Sequence, residues 1–574
     1  MIFHKLQRRL LSSRRTIHPH VKQVTRANFA ECLQDIKPQI ASSHFIAVSV
    51  TKTGAHSSAW HKVLSYDSPE IAFRKSKYAA ERFQVLQLAV CPFTFADSKL
   101  TAHPYIFNLF PRDELNIGMP CYSFTCQPSF LSTLVAQGFD FNTCIYEGLS
   151  YLSREQESAA KIRLGNLLLA AESSKSSSPP SVADSVFIER VKHRVQHWRD
   201  VCKESNNVSN EKLLNSLKKL VVGAEEYNSR PSLCIDVSND RQAVLVVELM
   251  QQLSDNLTPL LVQRRGGAIQ SIRVVFTASK EDKDLLLKDL HETEDMHNKK
   301  LSGFREVIDA ISDSQNPLVF LNSLDDITFI YSKFIGSLPS TVDGFLHSLR
   351  TTFPRVIDVS NLLSRVLPTK KGKPIAVSMN QLKSRFFAPI DLEIPSHVSW
   401  EDDRIHDHNV VATAQTLAKL LHILKNDLDS DPYANMFGHG ELEAWSNNTR
   451  DINFEKIVFL WGFAGGIPAR TLKEMLQGWR FLLNAEFDVR LVEKNCAAVM
   501  FCDEGTAEMF KGVVGSGVAV AGKMKEVFPD GLKAAGYERY DEVCKLGVWE
   551  PSLVEALEKV LLLSSSECAF FFSV

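Results

Sequence analysis

The sequence has no C-x-x-C pair, no dominant charge sign, no internal repeat, and no uninterrupted apolar run of about 18 residues, the length a membrane-spanning helix needs. Its eleven cysteines are scattered and odd in number, which argues against a disulfide scaffold and leaves structural zinc without ligand spacing. With 65 Lys and Arg against 67 Asp and Glu, no overall field favours nucleic acid, so any RNA contact has to be local. Missing apolar spans exclude an integral membrane protein of the usual helical kind. What is present is ordinary globular material: 574 residues, 44% hydrophobic and 23% charged, enough for about three or four folded units.

Acidic residues are missing from one place in particular, the first thirty positions. Lys5, Arg8, Arg9, Arg14, Arg15, Lys22 and Arg26 all precede Glu31, with Leu6, Leu10, Leu11, Ser12 and Ser13 between them. A basic amphipathic stretch of this kind is expected to be a mitochondrial presequence over residues 1–27. If it is instead a plain basic tail, nuclear or cytoplasmic residence is the alternative. Without those seven basic residues the body carries 58 basic against 67 acidic residues, a formal charge of −9.

Periodicity predicts strands at Ser43 to Val50, at Phe83 to Cys91 (stopped by Pro92) and at Tyr105 to Phe110, a meander over the first 110 residues, then helices at 129–137 and 153–172. The run SSKSSSPPS reads as a linker over 173–182. An inserted unit at 183–262 follows, with a basic helix from Phe187 to Arg199 and strands at Ser232 to Val237 and Ala243 to Leu249. Residues 28–172 and 263–425 are expected to share one core, the second part carrying strands at Ile272 to Thr277 and Pro317 to Asn322 and helices at 282–297, 325–334, 342–349 and 406–426. A linker at 426–450, a βαββ unit within 451–530 and a tail at 531–574 complete the reading. The apolar end of that tail is expected to pack, with a weak membrane-surface contact as the alternative.

Several landmarks occur in a telling order: NF at Asn28-Phe29, ASSHFIAV before a Thr-Gly turn, DSPEIAFRKSK, VLQLAVCPF, QGFDFN at Gln137 to Asn142, GFREVIDAI, and FPRVID at Phe353 to Asp358. In these the chain resembles the poly(A)-specific ribonuclease (PARN) family from about Thr25 to at least Leu424. The resemblance implies a ribonuclease-H-like α/β core of the DEDD exonuclease kind, an inserted single-strand-binding-type domain, and a C-terminal RRM-like α+β domain. It also implies removal of nucleotides from RNA 3′ ends, with four carboxylates holding two divalent ions and a histidine handling the attacking water. Mg²⁺ or another divalent cation would be the cofactor of an active member.

At the positions that match those motifs the chemistry is depleted. The first site, D-x-E-x-[ST]-G in the family, reads Ser49-Val50-Thr51-Lys52-Thr53-Gly54, so hydroxyls replace both acids. The second keeps Asp326 but has Leu321 where the family has histidine; the third, His406 to Val411, keeps His406 at the family's catalytic position and has Val411 in place of the last aspartate. Of four metal carboxylates only Asp326 remains. Ser49 and Thr51 cannot neutralise two dications and Val411 offers no oxygen, so little or no two-metal catalysis is expected, and no cofactor would then be needed. The adjacent Asp325 is turned about 100° from the ligand position on a helix.

RNA contacts are expected from the inserted unit's Arg190 and Arg194, from Arg264 and Arg265 on a loop, and from Phe459 and Trp461 in an RNP2-like hexamer, where core packing of Phe459 is the competing reading. Two functions stay open: a catalytically impaired, regulatory binder of mRNA poly(A) tails, or an active Mg²⁺-dependent 3′-exoribonuclease with a rearranged metal site. Expected partners are poly(A) RNA and a second chain, as a homodimer or as a heterodimer with a PARN relative; DNA is not implied.

Overall fold

The computed structural model describes residues 21–96, 99–120, 123–164, 181–205, 224–263, 269–321, 323–360, 391–393, 453–516 and 531–565, with isolated residues between 410 and 420. The basic leader through residue 20, the linkers at 173–180 and 426–450, Arg264, Arg265, His406, Val411 and the last nine residues lie outside the described residues.

The first part of the chain forms β1 (Lys22–Val24), α1 (Phe29–Ser42), β2 (Phe45–Lys52), α2 (Pro69–Arg82), β3 (Val85–Ala96), β4 (Lys99–Ala102), β5 (Tyr105–Asn108), α3 (Pro128–Ala136) and α4 (Arg154–Leu164). The inserted unit follows with α5 (Val182–Ser205), β6 (Ala224–Tyr227), β7 (Arg230–Asp236), α6 (Asp240–Leu253), β8 (Leu257–Gln263), β9 (Ile269–Phe276) and α7 (Lys280–Ser302). The chain returns through α8 (Arg305–Ser314), β10 (Leu318–Phe320), α9 (Ser323–Ile330), α10 (Val342–Thr352), β11 (Val356–Asp358) and β12 (Asp391–Glu393). The C-terminal unit holds β13 (Ile457–Trp461), α11 (Ala469–Gln477), β14 (Phe487–Glu493), β15 (Cys496–Phe501), α12 (Glu504–Gly515), β16 (Lys533–Gly536), α13 (Tyr537–Lys545) and α14 (Leu553–Ser565).

The large mixed sheet has the order β1-β5-β3-β2-β10-β11, with β4 and β12 attached beside β3. Strand β2 lies antiparallel to β3 and parallel to β10, which is parallel to β11. Helices α1, α2, α8, α9 and α10 contribute Ile36, Phe73, Ile308, Phe329 and Phe345 to one apolar core with Ile46 and Val48 of β2. The inserted sheet is antiparallel in the order β6-β7-β9-β8, and the C-terminal sheet runs β14-β15-β13-β16 in a βαββαβ succession.

Five expectations are corrected. The 110-residue meander contains two 14-residue helices: Ser68 caps α2 by accepting from Ile71 N with Pro69 in the first turn, and α1 buries Cys32, Ile36 and Ile40 on one stripe. Pro92 does not stop β3, because there the strand changes partner from β5 to β4 and needs no amide hydrogen. Residues 243–249 are helical inside α6, where Asn239 caps the start and Ala243, Val246, Val247 and Met250 face the core at helical spacing. The inserted sheet runs past residue 262 through β9, and β16 with α13 and α14 makes 531–565 part of the C-terminal unit rather than a tail.

Candidate active-site cleft and RNA-facing surfaces

Alternation along β2 places Ser49 and Thr51 half-buried on one side, while Val48, Val50 and Lys52 are buried. The chain then leaves the strand through Gly54, where an added Cβ would stand 2.5 Å from the Phe83 ring and 2.8 Å from Gln127 Cβ. Only glycine allows that approach.

Asp326 reaches this strand from α9. Its Oδ1 accepts a hydrogen bond from Lys52 Nζ at 2.8 Å, in an ion pair whose side chains are only 9% and 17% exposed. The ammonium also lies 4.6 Å from the centre of the Phe329 ring. Burial is the largest influence on Lys52 and pulls its pKa down, but the charges of Asp326 and Asp325 outweigh it and hold the ammonium above its ordinary value. Burial also dominates at Asp326 and raises its pKa, which Lys52 opposes without cancelling. Sequence reasoning missed Lys52: it read the two family acids at Ser49 and Thr51 and passed over the next residue.

The neighbouring carboxylates are engaged in holding the fold. Asp325 accepts from Ser76 Oγ of α2 at 2.6 Å, and Asp358 accepts from Ser323 N at 2.8 Å and Ser323 Oγ at 2.7 Å, tying down the start of the helix that carries Asp326. Among the described residues no group of three or more His, Cys, Asp or Glu could hold a metal ion. Among the described residues the donors do not fit a pair of divalent cations, because Ser49 and Thr51 offer neutral hydroxyls and Asp326 already faces an ammonium.

The C-terminal sheet is covered on the face expected to read RNA. Phe459 and Trp461 are 0% and 1% exposed. Phe459 stacks on Tyr540 at 4.5 Å, and Trp461 Nε1 donates to Glu558 at 3.2 Å. Both partners belong to α13 and α14, and Trp60, Tyr66 and Ile71 from the first part of the chain close the same cluster. At its centre the fully buried Lys75 ammonium donates to Asp67 Oδ2 at 2.9 Å, Tyr540 Oη at 2.6 Å and Lys62 O at 3.0 Å, while Tyr540 donates to Asp67 Oδ1 at 2.6 Å. All three ammonium protons are used. In this arrangement neither Phe459 nor Trp461 is open to a base, and the ladder Tyr78–Trp549–Trp60 continues the seam.

Arg190 and Arg194 do face solvent, both on the outer side of α5, whose inner side buries Val191, Val195 and Trp198.

Residues 24–419 match the model of the CAF1 family ribonuclease, and the chain belongs to that family, whose nuclease fold is ribonuclease-H-like with mixed α/β content. Within it the chain is PARN-like: it is 43% identical over 572 residues to the poly(A)-specific ribonuclease PARN-like of Arabidopsis thaliana, covering 95% of this chain and 92% of that one. The poly(A)-specific ribonuclease PARN of the same plant is 26% identical over 616 residues, covering 94% and 88%. Among solved structures, the Mg²⁺- and Mn²⁺-bound form of S. pombe Pop2p matches at 9% identity over 71% of this chain and 95% of that one, with a TM-score of 0.32.

Proposed function

We propose that this chain is a PARN-like protein that binds poly(A) tails without shortening them and so regulates their removal by other enzymes. The observation that carries the reading is the buried Lys52–Asp326 pair, which neutralises from within the one carboxylate matching the family's metal ligands. Two-metal chemistry requires anionic oxygen ligands that compensate four positive charges, and the donors here supply at most one negative charge, already compensated. On this reading the inserted unit serves as a single-strand-binding-type domain, and the βαββαβ unit is an RRM-like domain turned to an internal task, its aromatic face spent on α13, α14 and α2.

The test is incubation of the purified chain with 5′-labelled oligo(A) and Mg²⁺ or Mn²⁺, beside an Asp326→Ala variant and an active PARN. The expected result is retention of oligo(A) on the protein with no shortening by either form. Shortening that Asp326→Ala abolishes would overturn the proposal and establish a rearranged metal site.

A further inference from the structure

Of the seventeen histidines, only His193 and His197 stand three or four positions apart in the chain. Both lie on α5, one turn from each other, and both are exposed. The helix beneath them is held in place, because Val191, Val195, Trp198 and Cys202 are buried in the core of the inserted unit. Side chains on a helix lean toward its N-terminus, so His197 leans toward His193 and His193 toward Glu189. The contacts follow that lean: His193 Nε2 faces Glu189 Oε2 at 4.0 Å, while Glu189 Oε1 is turned to Lys192 at 3.4 Å. With side chains 78% and 60% exposed, His193 and Glu189 can change rotamer without moving the backbone.

We propose that His193 and His197 form a zinc-binding site, in which the two imidazoles are the protein ligands and water fills the remaining positions. Imidazoles at i and i+4 on one face of a helix are close enough to share one ion, and neutral imidazole suits a dication of borderline softness. The surroundings choose among cations. Arg190, Lys192 and Arg194 stand beside the pair on the helix, so an ion held mainly by charge, such as Mg²⁺ or Ca²⁺, is disfavoured and the affinity comes from nitrogen. Glu189 supplies the facing carboxylate and acts as a positioning residue, accepting the ring N–H of His193 that the metal leaves free. No thiolate takes part, so this is not a structural zinc centre. With two protein ligands rather than three, it stands beside the finding that no larger group of ligating side chains is assembled among the described residues. The proposal is independent of the poly(A) reading.

The experiment titrates the full chain with Zn²⁺ in competition with a chromogenic chelator, at about pH 7.5 and about pH 5. The proteins are the parent, His193→Ala, His197→Ala, Glu189→Gln, Glu189→Gln/His193→Ala and, as an exposed control on α7, His291→Ala. Every substituted side chain is exposed, so circular dichroism should show all of them folded. Loss of either imidazole should weaken zinc by more than about 100-fold, beyond what changes around a metal's ligands cost. Glu189→Gln should weaken it about 10-fold and add nothing once His193 is gone. His291→Ala and excess Mg²⁺ should leave binding unchanged, and acid should release the ion as the imidazoles take up protons. Zinc bound equally by the parent and both single alanine variants overturns the site, as does a parent that binds none. A loss seen with only one of the two histidines overturns the shared ion. Parental affinity in Glu189→Gln overturns its positioning role while supporting the imidazole pair if both alanine variants have lost zinc.

Discussion

Replacing Lys52 with methionine removes the ammonium 2.8 Å from Asp326 and leaves a carboxylate that is only 17% exposed. At an effective dielectric of about 20, two unit charges at that distance attract by roughly 6 kcal/mol, and desolvation of both groups offsets part of it. Breaking such a pair from one side costs about 3–5 kcal/mol, whereas replacing both partners with apolar side chains is close to neutral. Lys52→Met should therefore destabilise the nuclease core by about 3–5 kcal/mol at pH 8, and Lys52→Met/Asp326→Leu should recover most of it. The loss is also pH-dependent. Burial raises the Asp326 pKa in the folded state, so the folded variant binds the proton more readily than the unfolded chain, and stability is highest below the unfolded carboxylate value of about 3.9 and falls as pH rises through the folded value. Urea unfolding at pH 8 and pH 5, followed by circular dichroism with domain transitions fitted separately, reads both effects. A Lys52→Met variant that costs no more than an exposed change such as Lys37→Met, or a double variant as unstable as the single one, would show that the pair does not hold the core.

Acid should loosen the seam between the nuclease core and the C-terminal unit, because burial pushes His61 down to about 4, below an unfolded value near 6.5. The unfolded chain then binds the extra proton, and at most about 3 kcal/mol is lost as pH falls from 6.5 toward 4; urea unfolding followed by tryptophan fluorescence at pH 7 and 5 should show this, and His61→Leu should flatten it. Lys75→Met leaves Asp67 buried without its cation and should cost about 3–5 kcal/mol, while Tyr540→Phe should cost about 1–2 kcal/mol, both measured by urea unfolding and by faster proteolytic release of residues 453–565. The parent should show no Mn²⁺-dependent thermal stabilisation, whereas Ser49→Asp/Thr51→Glu/Lys52→Leu/Val411→Asp should gain about 1.4 kcal/mol at tenfold excess over its dissociation constant. A parent that is stabilised equally would refute the account of the cleft.

Much of the candidate site is legible in the bare chain because it is a matter of functional groups. Ser49, Thr51 and Val411 cannot act as carboxylates in any fold, and the Thr53-Gly54 turn fixes the register that makes the comparison possible. The order of β13, α11, β14 and β15 is legible for a similar reason, since each element advertises its period locally. Residues 243–249 were not: V-L-V-V satisfies a strand's composition, and the helix emerges because Asn239 caps it and because the inserted sheet needs an apolar stripe at 3.6-residue spacing.

The sequence by itself determined that Ser49, Thr51 and Val411 bring no carboxylate to the positions that match the family's motifs. Only the tertiary structure decided that Lys52 would stand against a residue 274 positions away, because a strand's alternation says which face a side chain takes but not what another element brings to it. Only the tertiary structure, too, decided the fate of Phe459 and Trp461. A sheet face rich in aromatics suits a base or a core equally well, and Tyr540 and Glu558, some eighty to a hundred residues further on, are what cover it.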